Sequence, residues 1–347
     1  MLETSNTHRT PRAPGTKEAS LRRLAIICLS ATLLTGCGMD TTSDPLQVTD
    51  TLTAATPATA PPATTPPAGT VHPAPPVQHA AYDHDTHTLV LASGPNLTLT
   101  NTRTNTQRTI TLPSAPATLH AERGQLLAAL PDANTITRVD LRTATAQPTP
   151  IPGGPIDAID LDGNRTAIIL RNTATVTILQ NGNPTATTEK FQGPAQLLPT
   201  RNGSIVVLDR LTTALTPIDT TTGTKGAGLR AGQGATNAVT DRYGRILTID
   251  TRGQELLAFS TDPLIMKQRY PVPGAPYGLA YDPTRDLAWV TLTATNELVG
   301  YDIAGGEPQE RHRLPTITQP NAVAVDPDTG DIYIASANGA GYQVVRV

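Results

Sequence analysis

From residue 88 onward the chain repeats one alternation of apolar and polar stretches. Seven short apolar runs head the repeats: TLVLAS at 88–93, QLLAAL at 125–130, TAIILR at 166–171, SIVVLD at 204–209, RILTID at 245–250, LAWVTL at 287–292 and DIYIAS at 331–336. Their starts lie 37 to 44 residues apart. Most follow a turn rich in Asp, Gly, Asn or Arg, such as DLDGN, DRYG or DPDTG, and these residues pre-set tight turns. After each run come a polar loop and a second apolar run, among them ITRVDL at 136, TVTILQ at 175 and LVGYDI at 298. A weaker third run follows, as at 107–112 and 268–272. A Pro/Gly-rich loop then leads into a short apolar stretch, as at 117–120, 157–161, 237–240, 277–281 and 321–325. No helical period appears anywhere in this part of the chain. Four short strands per repeat of roughly 40 residues predict an all-β fold, a seven-bladed β-propeller of four-stranded antiparallel blades. A long sandwich or solenoid is the alternative, but a closed ring leaves no exposed sheet edge.

The ends of the repeat region support closure. The seventh repeat runs only to Val347, the second strand of its hairpin, and so lacks an outer strand. Residues 71–83 (VHPAPPVQHAAYD) align without gaps with residues 270–282 (YPVPGAPYGLAYD). Residues 70–74 therefore stand at an outer-strand position and are expected to complete the last blade. The prolines there suit an edge strand.

The pattern changes before residue 70. Residues 38–68 include AATPATAPPATTPPAG, a composition that buries little apolar surface and favours extended polyproline II. This tract is expected to be a disordered linker, a spacer of nearly 100 Å at about 3.1 Å per residue. Before it, five basic residues (Arg9, Arg12, Lys17, Arg22, Arg23) precede an apolar run at 24–34. That run is shorter than the roughly 20 residues needed to span a bilayer and fits the apolar region of an export signal. Leu34-Thr35-Gly36-Cys37 resembles the lipobox of bacterial lipoproteins. The resemblance implies cleavage before Cys37 and a diacylglyceryl lipid on its thiol. Two acyl chains hold a membrane stably, where one does not. Three regions follow: residues 1–36 as a lipoprotein signal peptide, 37–68 as lipidated cysteine plus linker, and 69–347 as the propeller. The expected location is the extracytoplasmic side of the cell membrane, reached through the lipid.

Composition narrows the partners. Residues 1–36 carry five of the 26 basic and two of the 29 acidic residues, leaving 21 against 27 and a net charge of −6. That balance argues against nucleic acid. Cys28 lies in the signal, so Cys37 is the one cysteine left and no disulfide can form within the processed chain.

The stretch from Leu229 to Asp282, then LAWVTLTATNELVGYD and PTITQPNAVAVDPDTGDIYIAS, is similar to the LppL-type conserved lipoproteins of mycobacteria and related actinobacteria. The likeness is specific over about residues 226–347 and architectural before that. It implies a cell-envelope protein and transfers no activity. At the level of fold the chain also resembles YncE-type and NHL-type propellers, which is analogy only.

Motifs for chemistry are sparse. A single tryptophan, Trp289, excludes repeated Trp-Asp blade ends, sialidase-type boxes and quinoprotein-type tryptophan docking. The cluster Asp83-His84-Asp85-Thr86-His87 has metal-binding residue types but sits at the turn that recurs in every repeat, and is read as a turn. The glycine-rich Leu229–Thr236 stretch lacks the Gly-Lys-Ser/Thr ending of a phosphate loop. In a propeller the loops entering the innermost strands and the central hairpin loops share one face. On that face Arg230, Arg252, Tyr277, Asn296 and Asn321 are the candidate ligand-binding residues. For Tyr277 and Asn321 the alternative is a role in shaping the strand that follows proline. No organic cofactor is implied; the sequence leaves open a divalent cation in the channel held by Asn and carboxylate oxygens. Three functions stay in play: a binding or scaffold module for an envelope protein or glycan, a lactonase-like metal-dependent hydrolase, and a purely structural component.

Overall fold

The computed structural model describes residues 51–347; Cys37 and the signal lie outside the described residues. Among these residues there is no helix, and none that is long and apolar enough to cross a membrane. Seven four-stranded antiparallel sheets form a seven-bladed propeller. The blades comprise residues 79–111, 118–150, 155–187, 194–230, 235–271, 276–315, and 320–346 together with Thr70–His72.

The last blade confirms closure by the amino-terminal strand. Thr70, Val71 and His72 pair with Val344, Gln343 and Tyr342. Gln343, fully buried, anchors the approach to that strand. Its Nε2 donates to the carbonyls of Ala68 (2.7 Å) and Pro315 (3.0 Å), and its Oε1 accepts from the Ile317 N–H (3.0 Å).

The apolar runs that head the repeats are each blade's second strand. They read as continuous apolar segments because a neighbouring blade covers each side of them. Gln125–Leu130 is buried at five consecutive positions and Leu287–Leu292 at all six. The outermost strands face water; Thr145–Pro150 is exposed throughout. Seven hydrophobic clusters fill the seven blade interfaces, the number a closed ring requires. The interface between last and first blades is among them, with Leu89 and Leu91 packed against Ala324, Tyr333 and Ala335. Trp289 lies fully buried between the sixth and seventh blades, its ring against Gly300; a Cβ there would stand 2.5 Å from Cζ3.

Carboxylates cap the turns. Asp241 Oδ1 accepts from the Tyr243 and Arg245 N–H groups, and Asp282 Oδ1 from those of Thr284 and Arg285. Asp83 does the same for Thr86 and also accepts from Gly124 N–H of the next blade. His84 and Asp85 are exposed beside it. The Asp/His cluster at 83–87 is thus the turn of the first hairpin.

Candidate functional site

The innermost strands line a central channel of about 360 Å³, with His79, Thr118, His120, Gln196, Asn237, Tyr277 and Asn321 in its wall and Arg210 beside them. Much of this polar lining stitches one blade to the next. Gln196 Nε2 donates to the Ala238 carbonyl (2.7 Å) and its Oε1 accepts from the Ala238 N–H (3.0 Å). Asn237 Nδ2 donates to the Tyr277 carbonyl at 2.8 Å.

The strongest stitch is Asp157, fully buried in the third blade. Its Oδ1 accepts from Thr118 Oγ1 (2.8 Å), His120 Nε2 (2.6 Å) and its neighbour's Ala158 N–H (2.9 Å). Its Oδ2 accepts from the Leu197 N–H at 2.6 Å. One carboxylate therefore joins blades two, three and four. Charge-assisted bonds of this length are stronger than neutral ones.

Two histidines on neighbouring blades are shifted in opposite directions. Burial opposes a charge on His120, but the Asp157 carboxylate outweighs it and raises the imidazole above the ordinary histidine range. Burial lowers His79, although a hydrogen bond to the Pro116 carbonyl works against that shift. The channel wall thus favours a protonated histidine beside Asp157 and a neutral one on the adjoining blade.

Arg210 follows Asp209 in the central hairpin loop of the fourth blade. Asp209 fixes that loop, accepting from the N–H groups of Leu211 and Thr212 and from Gln192 and Gly193 of the loop entering the blade. Arg210 Nη2 donates to the Ala55 carbonyl at 2.7 Å, while its Nε is buried with no hydrogen-bond partner.

Ala55 belongs to the tract read from composition as a free linker, and over 51–68 the structure differs from that reading. This segment lies on the face formed by the central hairpin loops. Thr53 O accepts from Arg252 Nη2 (3.1 Å), and Ala58 N–H donates to Thr293 Oγ1 (3.1 Å). Gln319 clasps it twice, donating to Ala58 O and accepting from Ala60 N–H, both at 2.9 Å. Asn296 Nδ2 donates to Pro61 O at 2.8 Å. Composition reports that the tract cannot form a core. It is silent on whether another surface supplies partners for its main chain, and here blades four to seven do.

The sequence-predicted residues divide accordingly. Arg252 and Asn296 hold the segment. Tyr277 and Asn321 line the channel, and Asn321 Oδ1 accepts from Gln319 Nε2 at 2.9 Å. Arg230 lies in the outermost strand of the fourth blade, paired with Ala214, and is not part of the channel lining. Arg210, Gln319, His79, His120 and Asp157 were not legible from motifs. The available signal was positional: polar residues interrupting the short innermost strands, and the residue just before Pro320. Among the described residues no group of three or more His, Cys, Asp or Glu side chains is placed to hold a metal ion.

No family model matches the sequence, and no curated protein matches it. Solved structures match the fold. A Kuenenia stuttgartiensis hydrazine synthase chain shares 16% identity at TM-score 0.65, covering 79% of this chain and 96% of that one. A chain of a mitotic checkpoint complex shares 11% at TM-score 0.69, covering 86% and 99%. A catalytically inactive histidine-to-alanine variant of virginiamycin B lyase from Staphylococcus aureus, with quinupristin, shares 11% at TM-score 0.63, covering 80% and 97%. At these identities the likeness is one of fold alone.

Proposed function

We propose that this chain is a lipid-anchored binding module of the cell envelope, tethered through a diacylglyceryl group on Cys37, whose propeller captures its ligand at the channel mouth. The observation that carries this reading is Arg210. Its side chain lines the channel together with Tyr277, Asn237 and Asn321, and its Nε is buried with no hydrogen-bond partner. An unpaired buried donor is costly, so a ligand whose entry shifts the Arg210 side chain and brings a carboxylate or carbonyl oxygen to it gains what the free protein lacks. Convergent polar groups in a concave site are the usual form of a small-ligand pocket. Proximity labelling in cells tests the reading with the wild type, Arg210→Gln and Cys37→Ser. The neighbour labelled by the wild type is expected to disappear with Arg210→Gln, and Cys37→Ser is expected to leave the membrane fraction. Identical labelling by wild type and Arg210→Gln overturns the assignment of the mouth.

A second reading has its own support. The His120–Asp157 pair beside a neutral His79 has the form of an acid and a base with separated proton affinities, and the structurally similar virginiamycin B lyase is inactivated by loss of a histidine. A channel hydrolase or lyase, with or without a divalent cation, is separated from the binding module by metal content of the purified protein and by turnover that His120→Ala removes.

A further inference from the structure

We propose that the face of blades four to seven is a binding site for extended proline-rich peptides, and that residues 53–61 occupy it as a placeholder. This goes beyond the channel ligand: the groove and the channel meet at Arg210 and at the Gln319–Asn321 hydrogen bond, and the groove runs on from there over Arg252, Thr293 and Asn296.

Every hydrogen bond the groove makes to residues 53–61 goes to the main chain. Arg210, Arg252, Gln319 and Asn296 donate to four carbonyls, and Thr293 and Gln319 accept from two N–H groups. A polyproline II strand makes no hydrogen bonds within itself and leaves its carbonyls available. Donors set along a groove suit the free carbonyls of such a ligand; here they come from Arg, Gln and Asn side chains, where the known grooves for proline-rich segments are lined by aromatic rings. Selectivity comes from size. Ala55 is buried to 5% exposure, and its Cβ lies where a Cβ on Gly234 would stand only 2.8 Å away. Larger side chains do not fit there, while Pro61 and the residues after it face solvent.

The contact is also weakly anchored. Ala55 is the one residue of 51–66 that is buried, and the one large apolar side chain of that stretch, Leu52, is only half-buried. Its occupancy rests on being attached to the ring. A short tether gives an effective concentration of about 1 mM. Holding the segment in place nine-tenths of the time then needs a dissociation constant of about 0.1 mM or tighter. A free peptide of that affinity competes only when it is abundant or when the segment is absent.

The test uses the full chain lacking residues 51–61, which keeps Thr70–His72 and ring closure, and a fluorescent peptide TLTAATPATAPP as probe. The deletion variant is expected to bind the peptide at least tenfold more tightly than the wild type does. Gln319→Ala in the deletion background is expected to lose that binding, and a peptide with its three prolines replaced by glycine is expected to bind several-fold more weakly. Ala55→Glu in the intact chain serves as the second variant and is expected to gain peptide binding by expelling the segment. Sedimentation separates the sources of ligand: self-association of the wild type that the deletion removes points to a second copy's segment, and its absence points to other chains. A folded deletion variant that ignores the peptide, binding indifferent to Gln319→Ala, or a deletion that unfolds the ring overturns the proposal.

Discussion

Replacing Asp157 with asparagine changes almost no volume and removes one buried charge that joins three blades. Four donors point at the carboxylate: Thr118 Oγ1, His120 Nε2 and the Ala158 N–H on Oδ1, and the Leu197 N–H on Oδ2. An amide offers one acceptor oxygen and one NH2. With its oxygen toward Thr118 and His120, its NH2 meets the Leu197 N–H, and two buried donors go unpaired. Each unpaired group costs about 1–3 kcal/mol. His120 also loses its counter-charge, but its side chain is a third exposed and water screens much of that loss. The unpaired donors therefore dominate, and the total expected for Asp157→Asn is about 2–4 kcal/mol.

Urea unfolding followed by circular dichroism measures it, and pH separates the pair from the hydrogen bonds. His120 is raised in the folded state. Its contribution is therefore fully present below the unfolded histidine value of about 6.5 and is lost as pH rises through the folded value. The gap between wild type and variant is expected to be wider at pH 5.5 than at pH 9. A cost under about 1 kcal/mol at both pH values would refute the idea that this carboxylate stitches the ring. A gap that does not change with pH would refute the charged state of His120.

Gly300→Val places a side chain against the Trp289 ring and is expected to cost about 1–3 kcal/mol by overpacking; Trp289 is the single tryptophan, so a red-shifted emission and a lower Tm report it directly. Gln343→Ala leaves the Ile317 N–H and the Ala68 carbonyl without their present partner. It is expected to destabilise by about 1–3 kcal/mol and to make residues 51–70 more sensitive to proteinase K, and unchanged digestion counts against its role in closure. Burial pushes the Tyr301 phenol up to about 12. The wild type should therefore lose stability as pH rises above the unfolded tyrosine value of about 10. Tyr301→Phe should lose less between pH 10 and 12, and equal losses in a urea titration refute the shift.

The ring was legible because a blade's second strand is enclosed on both faces, which forces continuous apolar runs such as QLLAAL and LAWVTL. Closure was legible because residues 71–83 and 270–282 share a register that only a common structural position explains, and Thr70–His72 does pair with the last hairpin. The outer strands were faint for the opposite reason. Water covers them, so prolines and threonines are tolerated at 145–150, and in the fourth blade the strand shrinks to Leu229–Arg230. That short strand sets Arg230 opposite Ala214, next to the central hairpin loop and outside the channel lining. Arg252 and Asn296 were placed on the right face, but their partner was hidden. The bond from Asn296 to Pro61 spans 235 residues and depends on backbone atoms, which carry no compositional signature. Asp157 was hidden as well. A buried acid looks in sequence like the many turn aspartates around it, and only the convergence of three blades distinguishes it.

The held segment also has a readout of its own. Residues 53–61 give four carbonyls and two N–H groups to Arg210, Arg252, Asn296, Gln319 and Thr293. A peptide that takes those partners must release the segment's main chain to water, so binding and release are one event. Thr56 is exposed within the segment, and a dye placed there leaves the contacts in place. Fluorescence energy transfer from that dye to a label on the ring should accordingly fall as peptide is added. A constant signal at saturating peptide would show that the segment does not leave its groove.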